Sequence, residues 1–423
     1  MGAFFVIFAG LLTSGIPIAL TLGIAGTAYL YLSGNGMMAL MLPQRMMAGI
    51  DQFVLLTIPL FLLAGALMNV GGVTDRIVHF ARAMVGHRRG GMSSVSILSS
   101  GFFAGISGSA TAEASALGSI LIPTMSKQGM PTAYAAALIA VSSVMGPIIP
   151  PSITMIIYGV LSGTSIGQLF LAGVMPGIGI ATGLLIYASW RAKRDGFPVT
   201  ERMAGRDRWT ATIRTLPALL LPAIILVGIK TGIFTPTEAA AVAVAYALLI
   251  GFIYRDLNLR RLWESLIATT LVSASILFIT SMASIVSFVF TLEQVPQHIA
   301  DLVLAITDEP LLILLLLNVF LLLLGMFLEP ISILILTMPI LLKFQALIGM
   351  DPVQFGTVVV LNVVIGMATP PVGILLFITS AISGEPVTRV IREAIPLIGI
   401  CIAVLALIAL VPTLSLFLPN MLF

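Results

Sequence analysis

The run 146-GPIIPPS-152 returns 220 residues later as 366-GMATPPVG-373. Both copies sit inside apolar segments of about 31 residues, 131–162 and 352–382. A straight helix of that length would rise roughly 46 Å, more than a ~30 Å hydrocarbon core requires. In each segment a Pro-Pro pair removes an amide donor and disfavours helical geometry in the residue before it. Backbone groups freed in this way cannot face lipid; they face protein, water or a ligand. Each break leaves loose carbonyls on one half-helix and unpaired amides at the start of the next. Carbonyl oxygens suit a hard monovalent cation, and a helix N-terminus suits a carboxylate. A single intramembrane Pro-Pro reads most simply as a kink. Two of them, each four residues after a glycine, read as a binding site shared between two halves.

The repeat extends outward from the breaks. Gly129-Met130 matches Gly349-Met350, Pro176 matches Pro396, and Gly179-Ile180 matches Gly399-Ile400, all at the same spacing. Ahead of each break lies another interruption, 105-GISGSATAE-113 and then 325-GMFLEPIS-332. These fall at the centres of 92–122 and 310–342, which read as two arms of roughly 13 to 16 residues around a tip. Such arms rise about 20–24 Å, too short to cross the core, so both are expected to be re-entrant hairpins.

Composition sets the class. The chain of 423 residues is 59% hydrophobic and 9% charged, far from a soluble mixture. Spans or half-spans are expected near 3–32, 54–71, 92–122, 131–162, 165–190, 211–229, 236–254, 265–290, 310–342, 352–382 and 394–417. The apolar start lacks a basic leader and exceeds a signal h-region; it reads as one long tilted helix or as two helices broken at Gly15-Ile16-Pro17. The lone Cys401 rules out an internal disulfide or a Cys-based metal cluster and reads as a packed thiol.

The basic residues test the hairpins. With 191–208 placed in the cytoplasm, only Arg45, Lys230 and Lys343 fall outside, and all other Lys and Arg fall inside. Segment 291–310, placed outside, carries four acids and no Lys or Arg. Counting either hairpin as a full span destroys this partition. The first hairpin's base then lies inside and the second's outside, an inverted-topology repeat with its site at the midplane. The expected fold is an all-α polytopic membrane protein of this inverted-repeat kind. Its divisions are N-terminal scaffold helices (1–91), a first transport half (92–190), a central cytoplasmic loop with scaffold helices and a periplasmic amphipathic segment (191–309), a second transport half (310–393) and a C-terminal helix (394–423).

Three acids stand near membrane depth. Glu238 closes 235-TPTE-238, where Thr235 reads as an N-cap and Glu238 as its reciprocal capping-box partner. Glu113 and Glu329 each lie ten residues before a proline, in the first turn after a tip. Either could satisfy a helix dipole, neutralise a bound cation or anchor its tip. Ser107, Ser109, Thr111, Ser152, Thr154 and Thr369 provide hydroxyls but few carboxylates stand near, which favours sodium over calcium. Gly105-Ile106-Ser107-Gly108 matches the G-x-S-G of an intramembrane serine protease, yet no histidine lies at depth as a base. No phosphate-binding G-x-x-x-x-G-K-[ST] occurs, so an ion gradient or a partner must supply the energy. An ion channel is the alternative class.

The runs 105-GISGSATAEASALGSILIPTM-125, 146-GPIIPPS-152, 231-TGIFTPTEAAAVAVAY-246 and 366-GMATPPVG-373 resemble the large membrane subunit of tripartite ATP-independent periplasmic (TRAP) transporters, over essentially the whole chain. The resemblance implies a sodium-coupled elevator in the bacterial inner membrane. It would import organic acids handed over by a periplasmic binding protein. It also implies a small membrane subunit of about four helices, expected here as a separate polypeptide. No organic cofactor, nucleic-acid partner or enzymatic activity is expected. One sodium site would comprise Gly105, Ser107, Gly108 and Ser109 with Gly146, Pro147 and Pro150. The other would comprise Gly325, Met326 and Glu329 with Gly366, Thr369, Pro370 and Gly373. Substrate would lie between them, near Ser109, Thr111, Ser152, Thr154 and Thr369. The second tip has Met326-Phe327-Leu328 where the first has serines, so its ion would depend more on backbone carbonyls.

Overall fold

The computed structural model describes residues 2–423, and every regular element among them is helical. That follows from composition, because a helix satisfies its own backbone inside hydrocarbon. Seven helices are long and apolar enough to cross a membrane alone, among them Ile166–Arg194, Gly205–Lys230, Leu259–Leu292 and Val387–Leu410.

At the N-terminus the structure selects the broken alternative. Helices Gly2–Thr13 and Ile18–Leu32 are separated by a turn in which Gly15 adopts φ +83°. The C-terminal segment departs from expectation. Instead of one helix beginning near 394, Val387–Leu410 is followed by a separate helix Pro412–Leu422. Pro412 excludes helical geometry at Val411, whose φ and ψ are −118° and 92°. Two short elements, Gly36–Met41 and Leu42–Ile50, follow the N-terminal pair where no regular structure was expected.

Each interrupted segment forms a helix pair. Gly91–Ser107 and Ala110–Lys127 flank the first tip, and Pro310–Gly325 and Pro330–Ile348 flank the second. Three of the four arms have 17 to 19 residues, longer than expected, and the second arms continue to Lys127 and Ile348. Arm length alone therefore no longer separates a re-entrant hairpin from a span; the charge partition carries that distinction. The Pro-Pro segments divide as the backbone chemistry requires. Thr132–Ser142 is separated from Ile153–Ser162 by residues 143–152, and Pro352–Gly366 from Ile374–Ser383 by residues 367–373. Pro150-Pro151 and Pro370-Pro371 are both cis.

The two halves interlock through these second half-helices. Ile153–Ser162 packs on Pro330–Ile348 and Pro352–Gly366 of the other half. Reciprocally, Ile374–Ser383 packs on Ala110–Lys127 and Thr132–Ser142. Close packing uses glycine where rings intrude: a Cβ at Gly356 would stand 2.4 Å from the Tyr158 ring. Outside this body, Thr57–Val70 packs along Pro236–Ile253, where Thr57 and Thr237 share a buried 2.9 Å hydrogen bond. At the start of the second of these helices Thr235 Oγ1 accepts from the Glu238 amide at 3.3 Å. The Glu238 carboxylate accepts from the Thr235 amide at 2.8 Å.

Candidate functional site

Tip and break of the same half touch. A Cβ at Gly108 would stand 2.6 Å from the Pro151 carbonyl oxygen, and one at Gly146 would stand 3.2 Å from Ser109 C. In the second half a Cβ at Gly366 would stand 2.5 Å from the Gly325 Cα. The Gly373 amide donates to the Met326 carbonyl at 3.2 Å, with Gly373 itself at φ +59°. Only glycine allows these backbones so close.

Between the four lies a cavity of about 90 Å³. Its wall includes Gly108, Ser109, Ala110 and Thr111 from the first tip and Pro147, Ile153 and Thr154 from the first break. Glu329, Pro330 and Ile331 come from the second tip and Met367 from the second break. Leu62, Val272 and Ile276 close it from Thr57–Val70 and Leu259–Leu292. Sequence reading missed those three, since an apolar residue on a long apolar helix carries no local mark of where it points.

Three helices begin at this cavity: Ala110–Lys127, Ile153–Ser162 and Pro330–Ile348. Their first-turn amides place positive partial charge there. Ser109 caps the first of them, accepting from the Ala112 amide at 3.5 Å, and its hydroxyl lies 3.2 Å from that of Thr111. Glu329 is the N-cap residue of the third, a position earlier than expected, and makes no capping bond with its side chain. It is the one ionisable group on the wall, and no Lys or Arg joins it.

Several expected ligands are engaged behind this wall or lie off it. Ser152 is fully buried behind the wall, donating to the Pro147 carbonyl and accepting from the Met155 amide at 3.1 Å. It therefore serves the break and not the cavity. The Pro147 carbonyl is correspondingly occupied and not loose. Thr369 is buried too, donating to the Ile365 carbonyl at 2.8 Å, and does not reach the wall. Ser107 donates to the Ser109 carbonyl at 3.5 Å, just behind the tip. Gly105 lies against Pro222, where a Cβ would stand 2.7 Å from Pro222 Cγ, with the Pro150 carbonyl 3.6 Å away. Pro370 is half-buried in the second break. Glu113 is fully buried, both its oxygens lack a hydrogen-bond partner, and Oε2 lies 2.8 Å from where a Gly146 Cβ would be. Glu113 and Glu329, alike in sequence, occupy different environments.

The arrangement resembles known proteins in sequence and in shape. Residues 5–414 match the family described as the tripartite ATP-independent periplasmic transporter, DctM component. The sialic acid TRAP transporter large permease protein SiaM of Vibrio cholerae is 39% identical over 97% of this chain and 96% of its own. The isethionate TRAP transporter permease protein DctMQ of Oleidesulfovibrio alaskensis is 37% identical over 97% of this chain and 65% of its own. Among solved structures, the YdaH transporter of Alcanivorax borkumensis shares the fold, with TM-score 0.64 over 89% of this chain and 88% of that one, at 14% identity. The relatives are permeases, not enzymes, and this chain is an integral multi-pass membrane protein that belongs to the DctM component family of tripartite ATP-independent periplasmic transporters.

Proposed function

We propose that this permease imports an organic anion together with sodium ions by an elevator motion across the bacterial inner membrane. The observation that carries the reading is the cavity on which three helix N-termini converge without a basic side chain. An anion there is met by helix-terminal amides and by the hydroxyls of Ser109, Thr111 and Thr154. Sodium ions, carried as co-substrates, supply the remaining positive charge. One would sit where Gly105–Ser109 meets Gly146–Pro150, the other where Gly325–Glu329 meets Gly366–Gly373. Glu329 faces the cavity from the second of these, where a carboxylate balances a cation and repels an unaccompanied anion.

The two hairpins and two broken helices form the moving body, with re-entrant hairpins in halves of opposite direction. The remaining helices, those of 1–91 and 211–254 among them, form the scaffold, and 191–208 lies in the cytoplasm. Partners are a small membrane subunit and a periplasmic binding protein that delivers substrate. The DctMQ relative extends well beyond the length this chain matches, which supports a small membrane subunit as a partner. The substrates in the relatives' names, a sialic acid and isethionate, share an oxyacid group and little else. That supports a site reading the acid group while the binding protein selects the remainder.

Reconstitution in liposomes with both partners tests the proposal. Uptake should need external sodium and collapse without the binding protein; uptake unchanged with potassium in place of sodium removes the coupling. Ser107→Ala should weaken sodium dependence, and persistent single-channel current would favour a channel instead.

A further inference from the structure

Two side-chain pairs, the first buried and the second partly so, stand at comparable places in the halves, and neither touches the cavity. In the first half Ser100 Oγ donates to Ser142 Oγ at 3.0 Å. In the second, Asn362 Nδ2 donates to Asn318 Oδ1 at 2.7 Å and to the Asn318 carbonyl at 2.9 Å. Ser100 lies seven residues before Ser107, and Asn318 seven before Gly325. Ser142 lies four residues before Gly146, and Asn362 four before Gly366. Each pair therefore joins the first arm of a hairpin to the first half of its broken helix, about two turns from the tip and one from the break.

Packing alone does not call for these residues. Asn362 is flanked by Leu361 and Val363, is fully buried, and its own Oδ1 has no partner. A buried amide left partly unpaired is destabilising relative to an apolar residue of similar volume. What a polar pair adds between two apolar helices is register. Sliding one helix along another by a single residue moves a tip about 1.5 Å, whereas a binding constellation tolerates about 0.5 Å.

We propose that Ser100–Ser142 and Asn318–Asn362 are positioning pairs that set each hairpin tip over its own break. Each pair tunes the cation affinity of its own half, a consequence that rests on the breaks being sodium sites. The pairs are unequal. One hydroxyl–hydroxyl bond holds the first tip, while two amide bonds hold the second, so the first tip is the more easily displaced.

Two readouts test this on the full permease with its partners. The first is hydrogen–deuterium exchange at the tips. Asn318→Ala and Asn362→Ala should speed exchange at 326–329 and leave 107–109 unchanged, and Ser142→Ala should do the reverse. The second is the sodium concentration giving half-maximal uptake in proteoliposomes. Asn362→Ala should raise it about tenfold, with the maximal rate restored at saturating sodium, because both bonds to Asn318 are lost with the amide. The Asn318→Ala/Asn362→Ala double variant should be no worse than Asn362→Ala, because the pair acts as one unit. Ser142→Ala should raise it about threefold and Ser142→Thr should restore it. Unchanged exchange at both tips overturns the positioning role whatever sodium does. Faster exchange with an unchanged sodium requirement overturns the affinity role. Uptake by the wild type without sodium removes the coupling reading, while the exchange result still decides whether the pairs position the tips. Should Asn362→Ala fail to fold, Asn318→Ala breaks the same pair from the hairpin side.

Discussion

The first hairpin tip turns on two residues, Gly108-Ser109, and the second on four, Met326 to Glu329. Both present a helix N-terminus to the cavity; the first adds hydroxyls and the second a carboxylate, and Phe327 of the second is exposed. Their contacts with the breaks also differ. Gly108 meets a carbonyl oxygen of Pro151, whereas Gly325 meets the Cα of Gly366, backbone on backbone. An internal repeat has kept the geometry of tip on break while its ligand chemistry diverged. Backbone approach is the shared part because it depends on glycine and proline alone.

The largest asymmetry is expected from adding a methyl group to each break. At Gly366 it would stand 2.5 Å from the Gly325 Cα, and neither backbone can yield. Gly366→Ala should abolish uptake and lower stability by about 3 kcal/mol or more. At Gly146 the nearest atom is the Glu113 carboxylate oxygen at 2.8 Å, the end of a side chain. Gly146→Ala should therefore cost less, about 1–2 kcal/mol, with partial uptake. Thermal unfolding in detergent checks both, and equal losses would mean that the tips are held alike.

Next come the two acids. Glu329→Gln removes the charge on the cavity wall and should raise the sodium requirement about tenfold, equivalent to about 1.4 kcal/mol. Glu113→Gln keeps the shape of a buried group that lies off the cavity wall, and should leave that requirement unchanged. Sodium titration of uptake for both variants decides it; a shift with Glu113→Gln would place that acid in the ion site.

A smaller effect, confined to stability, should follow Glu238→Ala. Loss of half the capping box should lower the thermal unfolding midpoint slightly without altering the sodium requirement of either half. A changed sodium requirement would show that the scaffold turn communicates with the breaks.

The smallest effect belongs to Asp195, at the end of Ile166–Arg194. The hydrogen bond from Arg194, and then that from Arg191, hold its carboxyl below the usual carboxylate range. Arg191 also pairs with Glu393, joining helices that the repeat relates through Pro176 and Pro396. A lowered carboxyl stabilises the fold above its unfolded value of about 3.9, and this is lost as pH falls through the native value. Because the group is partly exposed, Asp195→Asn should cost under about 1 kcal/mol at pH 7. The difference from wild type should vanish in strong acid, which unfolding midpoints against pH would reveal.

Much of the tip-and-break geometry was legible before any coordinates. Gly146, Gly366 and the two Pro-Pro pairs announce their breaks because proline and glycine act on their own backbone, whatever surrounds them. The Thr235–Glu238 cap is equally local, closing within one turn. The extra C-terminal break at Val411 follows from Pro412 by the same reasoning, although it lies within an apolar run.

Membrane class, the positions of the breaks and the pairing of each with a hairpin thus follow from sequence, through backbone chemistry and spacing. Tertiary structure alone decided which polar groups remain free. Ser152 and Thr369 have the right chemistry, yet their hydroxyls donate to nearby carbonyls in buried places. Glu113 and Glu329 share the same spacing to a proline, yet one is sealed against Gly146 and the other opens to the cavity. Those outcomes depend on contacts between segments far apart in the chain, and nothing within a turn of each residue records them.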